Sequence, residues 1–247
     1  GREGQISDLS VGMTGALSTS VRSSFPKENE YPMTDYSGPV CAICGVRACS
    51  AEPGTKDYPP FCPIPAEAEL LAEVEQVYVE NEQVRRMALE SARVEADGYC
   101  RRTRIEEIMD FARRMDAHIL GIAHCVGLMR EARLAREIFV SGGFEVYTSC
   151  CKVGSIPKEA VGLTDEEKIR PGQFEAVCSP VGQAALLAKA GTQLNELIGL
   201  CVGHDSLFFM HSKAPVTVLV AKDRVLGHNP VACLYTSHSY YGKLKGS

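Results

Sequence analysis

Cysteine is the residue type with the greatest chemical potential in this chain, which has 247 residues, eleven cysteines and no tryptophan. Four of the cysteines form an N-terminal motif, in which Cys41-Ala-Ile-Cys44 is followed by Cys49 and Cys62. Four thiolates are enough to complete a tetrahedral metal site. The segment 40–65 has too few apolar residues to form a hydrophobic core, so a bound metal would have to stabilise it. We therefore predict that these four cysteines bind a metal.

Two metals fit the spacing in this segment, which we call the N-terminal knuckle. A structural zinc ion and a four-iron cluster both take four thiolates. The Cys62-Pro63 pair is similar to the end of the cysteine run in bacterial ferredoxins, which favours iron. Disulfides are the alternative, but an odd number of cysteines in a chain of this length favours a reducing compartment.

A second set of cysteines recurs every 23 to 28 residues, each at the end of an apolar, strand-like run. Ligands of open α/β sheets bind beyond the carboxyl ends of the strands, and soft thiolates select zinc, copper(I) or iron–sulfur clusters. Ligands that come from separate loops favour a cluster over zinc. We predict a cluster, of the 4Fe–4S type, bound by Cys125, Cys150, Cys151, Cys178 and Cys201.

The competing interpretation is that each of these cysteines is a small buried hydrophobe, since free cysteine is among the most buried residue types. Cys100 and Cys233 lie outside the repeating pattern, and for them we predict packing alone.

Polar side chains accompany the second set. His204 and His228 are predicted as proton donors or metal ligands, because histidine titrates near neutral pH. Lys152, Lys222 and Arg224 could receive an anionic substrate at the same edge. For His228 the alternative is a turn, since it stands in a Gly-His-Asn-Pro run.

Hydrophobic periodicity predicts the elements that must position these residues. Helices are expected over 66–97 and 104–116, followed by buried strands that alternate with helices. Compact β-α-β units imply parallel strands, so we predict an α/β fold with an open, doubly wound, mostly parallel sheet of about five strands. The predicted strands are 118–125, 144–151, 174–180, 196–204 and 215–223, separated in the second half of the chain by helices over 127–143, 181–194 and 205–211.

The expected organisation is a flexible arm (1–39), the knuckle (40–65), a helical segment (66–117) and an α/β domain (118–247). The arm could dock on a second copy of the chain and make a homo-oligomer. A net charge of −5 and a pI near 5.7 give no footprint for nucleic acid. No apolar run is long enough to cross a membrane, and the N-terminus lacks the apolar core of a secretory signal, so we expect a cytoplasmic protein.

Several sequence blocks resemble a family of uncharacterised metal-binding proteins of anaerobic prokaryotes, a domain of unknown function with an N-terminal four-cysteine motif. The resemblance implies metal binding by the N-terminal cysteines. The strand-end cysteines are also broadly similar to those of iron–sulfur enzymes in which three cysteines leave one iron open, such as quinolinate synthase and the thiouracil desulfidases. The blocks that carry the family resemblance are Cys41 through Pro63, His124-Cys125, 150–154, 178–184, 199–208 and 223–230.

These observations favour an iron–sulfur protein that binds or reduces a small molecule at the sheet edge, with the knuckle as a second metal site that exchanges electrons with a partner protein. A possible reaction class is redox or desulfurising chemistry. One alternative is a non-enzymatic carrier of a metal, a cluster or sulfur. The other is a regulatory or ligand-binding module that a zinc ion stabilises.

Overall fold

The computed structural model describes residues 38–246, so residues 1–37 of the predicted arm lie outside the described residues. The chain divides into two compact units, with the boundary between Ala68 and Glu69. Each unit is described by itself below.

The described part of the first unit, residues 38–68, consists of short turns around the four knuckle cysteines. Two 3-10 helices span Cys41–Ile43 and Ala48–Ser50, and helix α1 spans Pro63–Ala66. Proline at the first helical position of α1 sets the backbone angle of a helix start, directly after Cys62. Backbone hydrogen bonds of 3.1 Å close both 3-10 turns.

The helical segment contains α2 (Ala68–Glu80), α3 (Glu82–Gly98) and α4 (Arg104–Arg114). The prediction of one continuous helix over 66–97 was wrong, because Asn81 ends α2 and caps α3: its side chain accepts a hydrogen bond of 3.1 Å from the Val84 N–H.

Three apolar side chains of α2, those of Leu70, Val74 and Val77, are exposed by 53%, 40% and 49%. Helix α4 does pack inward, through the buried Ile108 and Ala112.

Four parallel strands form the sheet, which confirms the α/β class. Helix α5 joins the first two strands, α6 precedes the third, and α7 joins the third to the fourth. The strand order in the sheet is β2-β1-β3-β4. The bounds are β1 Ile119–His124, α5 Met129–Ser141, β2 Glu145–Cys150, α6 Pro180–Lys189, β3 Leu194–Ile198, α7 His204–His211, β4 Val216–Val220 and α8 Val231–Tyr235.

The predicted strand over 174–180 is absent from the described residues, so the sheet has four strands and not about five. The backbone of this segment bonds to its own loop: the Lys158 N–H donates to Glu175 O at 3.0 Å, and the Val177 N–H donates to Ile156 O at 2.8 Å. These bonds form an isolated antiparallel bridge between Pro157 and Ala176. The apolar segment 174–180 therefore forms an ordered loop, because its backbone hydrogen-bonds to the nearby residues 156–158 and not to a strand of the sheet.

Contacts on the two faces of the sheet come from different helices. A side chain added at Gly121 in β1 would meet Leu187 of α6. Ile122, the residue after Gly121, points to the opposite face, and Thr217 of β4 shares that face because both residues are in register with Glu196 of β3. The Thr217 hydroxyl accepts a hydrogen bond from Arg104 of α4. The core between these layers includes Leu120, Ile122, Leu128, Phe139, Leu187, Leu197 and Phe208.

Candidate functional site

The strand order reverses between β1 and β3, because the chain visits β2 on one side and then β3 and β4 on the other. A reversal of this kind opens a crevice beyond the carboxyl ends of the two central strands. Cys125 directly follows β1, and its N–H donates to Ile198 O of β3 at 3.0 Å. Cys201 lies three residues beyond β3. Two of the predicted thiols therefore flank the crevice.

Two further thiols join them from the next loops. Cys151 follows β2 and is buried, and its N–H donates to His124 O at 2.8 Å. Cys178 reaches the same edge although its segment is not a strand, because the Ser179 N–H donates to Cys151 O at 2.7 Å. The thiols of Cys151 and Cys178 hydrogen-bond each other. We call Cys125, Cys151, Cys178 and Cys201 the thiol rim.

A cationic side chain contacts each of three rim thiols. Lys152 Nζ lies 3.4 Å from Cys178 Sγ, Lys222 Nζ lies 3.4 Å from Cys125 Sγ, and an Arg224 guanidinium nitrogen lies 3.0 Å from Cys201 Sγ. The fourth thiol receives a backbone donor, since the Val126 N–H lies 3.3 Å from Cys151 Sγ. Hydrogen bonds from charged donors favour the thiolate form of cysteine.

The pKa values of the buried pair move in opposite directions. The hydrogen bond from Cys151, assisted by the charges of Lys152 and His204, lowers the pKa of Cys178 to about 5. The hydrogen bond to Cys178 and burial raise the pKa of Cys151. These shifts favour the thiolate form of Cys178 and the thiol form of Cys151.

The pKa of Arg224 depends on several rim thiols and not only on Cys201, which it contacts. The hydrogen bond to Cys201 and the charges of Cys201, Cys125 and Cys178 raise the pKa of Arg224. This side chain is exposed, so its guanidinium group stands at the open side of the rim.

A glutamine holds the loops of the rim together. Gln183 in α6 is fully buried, and its Nε2 donates to Ser149 O at 2.6 Å and to His124 O at 3.2 Å. These carbonyls directly precede Cys150 and Cys125, and Gln183 itself lies five residues after Cys178. The sequence analysis missed this role, because nothing in the chain before folding pairs Gln183 with two strand ends.

The two predicted histidines differ in their surroundings. His204 begins α7, acts electrostatically on Cys178, and has a buried Nδ1 with no hydrogen-bond partner among residues 38–246. His228 adopts a left-handed backbone with a φ of 66°, and its Nδ1 accepts the Asp223 N–H at 3.1 Å. The structure therefore places His204 beside the thiols and uses His228 to shape the loop that carries Arg224.

The remaining cysteines of the α/β unit are less involved. Cys150, the last residue of β2, is half-buried and packs against the hydrophobic core. Cys233 is half-buried and donates to Pro230 O at 3.0 Å. The prediction that Cys100 packs was wrong, because it is exposed, with a φ of 55° between α3 and α4.

The four knuckle cysteines line one cavity of about 240 Å³. Its other walls include the aromatic rings of Tyr58 and Phe61. All four predicted ligands thus line the same cavity, although within residues 38–246 they do not stand as a group that could hold one metal ion.

The positions of the thiols and of their N–H donors bear on whether a single metal ion or an iron–sulfur cluster suits the thiol rim. Within the described part of the chain, no three His, Cys, Asp or Glu side chains stand as a group that could hold one metal ion. An iron–sulfur cluster is larger than one ion and takes thiolates from separate loops, with N–H donors to its sulfurs. The rim offers the same kinds of group, because each of its four thiols has an N–H donor within 3.4 Å.

A family model described as "Protein of unknown function (DUF1847)" matches residues 62–219, more than half of the chain. The chain belongs to this family. Its matched range includes Cys62 and all five cysteines of the second set, whereas Cys41, Cys44 and Cys49 precede it and the loop with Lys222 and Arg224 follows it. The expected resemblance to a domain of unknown function is thus confirmed, while metal binding remains a prediction.

An archaeal protein has a similar sequence. The chain is 46% identical over 156 residues to "Uncharacterized protein MJ0455" of Methanocaldococcus jannaschii, which covers 63% of this chain and 79% of the relative. No solved structure matches the chain.

A helix that crosses a membrane must be long and apolar. Between residues 38 and 246, no helix combines the length and the apolar character that crossing a membrane requires.

Proposed function

We propose that this member of the DUF1847 family is an iron–sulfur protein whose cluster lies at the carboxyl edge of an open, doubly wound sheet and binds or reduces a small molecule. One observation carries the proposal: three thiols from three different loops, those of Cys125, Cys178 and Cys201, surround the strand-order reversal, and a cationic side chain contacts each. These three cysteines would hold the cluster, and Cys151 would donate a hydrogen bond to Cys178.

The cationic side chains serve two purposes in this proposal. Their N–H groups stabilise the thiolates that a cluster requires, and N–H donors to sulfur tune a cluster's potential. Their positive charge also favours an anionic substrate at the open side of the rim, where Arg224 is exposed. A cluster with an open iron supplies Lewis-acid or redox chemistry when it is bound.

His204 is the proposed proton donor of the site. Its charge acts on Cys178, and its Nδ1 is buried with no hydrogen-bond partner in the described chain. An imidazole nitrogen beside the reacting group is suited to general acid–base catalysis.

The knuckle is the proposed second metal site. Cys41, Cys44, Cys49 and Cys62 line one cavity, and a bound cluster or zinc ion would draw their side chains together. If it is a cluster, it would pass electrons between the rim and an electron-transfer protein.

The test is metal analysis of protein prepared without oxygen. We expect iron and acid-labile sulfide in stoichiometric amounts and a broad absorbance near about 400 nm. Loss of that absorbance in Cys178→Ala, but not in Cys100→Ser, would assign it to the rim. Protein that contains neither iron nor sulfide, before and after reconstitution with both, contradicts the proposal.

A second candidate is a carrier of sulfur or metal that turns over no small substrate. The Cys151–Cys178 pair favours it, because a thiolate with a pKa of about 5 beside a neutral thiol is suited to sulfur transfer and thiol exchange. Transfer of the bound metal or sulfur to an acceptor protein, without consumption of a small molecule, would select this function. Stoichiometric zinc without iron, together with tolerance of Cys178→Ala and Cys201→Ala, would select the zinc-stabilised module.

A further inference from the structure

A buried carboxyl group stands in the middle of the sheet, away from the thiol rim. Glu196 of β3 is fully buried, and neither of its carboxyl oxygens has a hydrogen-bond partner in residues 38–246. An unpaired buried polar group costs folding free energy, so its retention calls for a reason. Unusual titratable groups of this kind concentrate at functional sites.

A cavity of about 290 Å³ opens on the same face of the sheet. Alternation along a strand places Leu194 and Glu196 on one face, and Thr217 is the register partner of Glu196 in β4. Leu194 and Thr217 both line the cavity, so Glu196 lies directly beside its floor. Helices α3 and α4 form the walls, which are mainly apolar and include Met87, Val94, Ile108 and Phe111.

Two charged side chains line this cavity, and only one of them has a partner among the described residues. Arg104 lines it but is already engaged, because its guanidinium group donates to Val218 O and to Thr217 Oγ1, both at 2.7 Å. Glu107 also lines it, and its carboxylate forms no ion pair within the described chain. Among residues 38–246, one carboxylate without an ion pair thus lines the cavity, and one buried carboxyl group without a hydrogen-bond partner lies beside its floor.

We propose that this cavity is a binding site for a small organic cation, a primary amine on an apolar body, whose ammonium group pairs with Glu196. The apolar walls would take the body of the ligand, and Glu107 would add attraction at the entrance. The site is distinct from the proposed function, because Leu194, Pro215 and Val216 stand at the amino ends of β3 and β4, the opposite edge from the thiols.

Binding of such a ligand should release a proton. Burial raises the pKa of Glu196 well above its usual range, which favours the protonated carboxyl group when no cation is present. An ammonium group at hydrogen-bond distance favours the carboxylate, and the displaced proton passes to the buffer. A ligand that merely filled the apolar space would release none.

Benzylamine is a suitable probe, with benzyl alcohol and benzoate as neutral and anionic counterparts of the same shape. Calorimetry at neutral pH in two buffers of different ionisation enthalpy measures both affinity and proton release. We expect saturable binding of benzylamine, at least about tenfold weaker binding of the alcohol and the acid, and release of about one proton.

Variants separate the carboxyl group from the cavity. Glu196→Gln keeps the shape, and we expect it to weaken benzylamine binding about tenfold and to abolish proton release. Glu107→Gln should weaken binding less, and Glu137→Gln, on the exposed surface of α5, should change nothing. Equal binding of benzylamine to the wild type and to Glu196→Gln, or no saturable binding to the wild type at millimolar concentration, overturns the proposal.

Discussion

The N-terminal knuckle and the thiol rim both gather four cysteines, but they surround them with different chemistry. In the knuckle the thiols are exposed or half-buried around one cavity with aromatic walls. In the rim they are buried or half-buried, and cationic groups contact three of them. The knuckle relies on 3-10 turns of one short segment, whereas the rim collects thiols from loops far apart in the chain.

This difference favours a structural role for the knuckle and a reactive role for the rim. Thiols in one short segment suit a metal that folds the segment, because local spacing alone brings them together. Among the thiols that the folded sheet assembles beside lysine and arginine, Cys178 has a lowered pKa before any ligand arrives. The comparison therefore predicts that damage to the knuckle disturbs the first unit, while damage to the rim removes the chemistry.

The largest expected effect is the loss of one metal site without the other. Cys178→Ala should remove the iron of the rim and leave metal in the knuckle, whereas Cys41→Ala should do the reverse, because no cysteine belongs to both sites. Metal and sulfide analysis of anoxic protein measures both outcomes, with Cys100→Ser as the exposed control. Parallel loss of all metal in both variants would mean that the two regions do not act separately.

The next effect concerns the glutamine that holds the rim loops. Gln183→Leu removes donors from His124 O and Ser149 O, so we expect a loss of about 1–3 kcal/mol in the free energy of unfolding and faulty placement of the thiols. Urea unfolding measures the free energy of unfolding, and the pH dependence of Cys178 alkylation reports the placement of the thiols.

Gln193→Leu is the matched control for this variant. Its Oε1 accepts from the His118 and Ile119 N–H groups at the other end of β1, at 2.7 and 2.9 Å. It should lower stability without changing Cys178 alkylation. An equal change in alkylation in both variants would show that Gln183 acts only through stability.

A smaller effect is the pH dependence of the metal-free protein. Folding lowers the pKa of Cys178 from 9.0 to about 5, so its stabilising contribution is complete above pH 9 and is lost as the pH falls through about 5. The raised pKa of Cys151 stabilises the folded chain below pH 9, and that contribution declines at higher pH.

Unfolding measured across this range should therefore show stability rising from about pH 5 toward pH 9. Lys152→Met should raise the pKa of Cys178, because it removes a neighbouring positive charge. Alkylation by iodoacetamide reports that pKa directly. A Cys178 that titrates at an ordinary thiol pKa would remove the electrostatic distinction between the rim and the knuckle.

The smallest effect tests the attraction of anions. Arg224 contacts Cys201, so negatively charged iodoacetate should alkylate Cys201 faster relative to neutral iodoacetamide than it does Cys49 in the knuckle. Arg224→Met should lower that rate ratio about threefold, and added salt should do the same. Arg133→Met on the exposed surface of α5 is the control. A ratio that Arg224→Met leaves unchanged would argue against an anionic substrate.

Sequence reasoning recovered the features that depend on local pattern. Hydrophobic periodicity located β1, β2 and β4 within three residues, whereas the strand predicted over 196–204 is β3, Leu194–Ile198, and ends six residues earlier. It also predicted that thiols following strands would meet at one edge. Cys125 and Cys201 could be placed there because parallel strands end at the same side.

Other features depended on contacts that only the folded chain supplies. Cys178 reached the rim by a backbone bond to Cys151 and not by a strand, and Asn81 broke a helix whose periodicity continues through it. The pairings of Lys152, Lys222 and Arg224 with particular thiols, and the buried position of Glu196 beside a cavity, follow from tertiary structure alone.

The most direct test of the account is cysteine footprinting by mass spectrometry on anoxic protein, before and after removal of iron. The account predicts that Cys125, Cys178 and Cys201 resist alkylation in the iron-loaded protein and react once the iron is removed, while Cys100 reacts in both states. Equal labelling of these three rim cysteines in the two states would contradict the claim that the sheet edge holds a cluster.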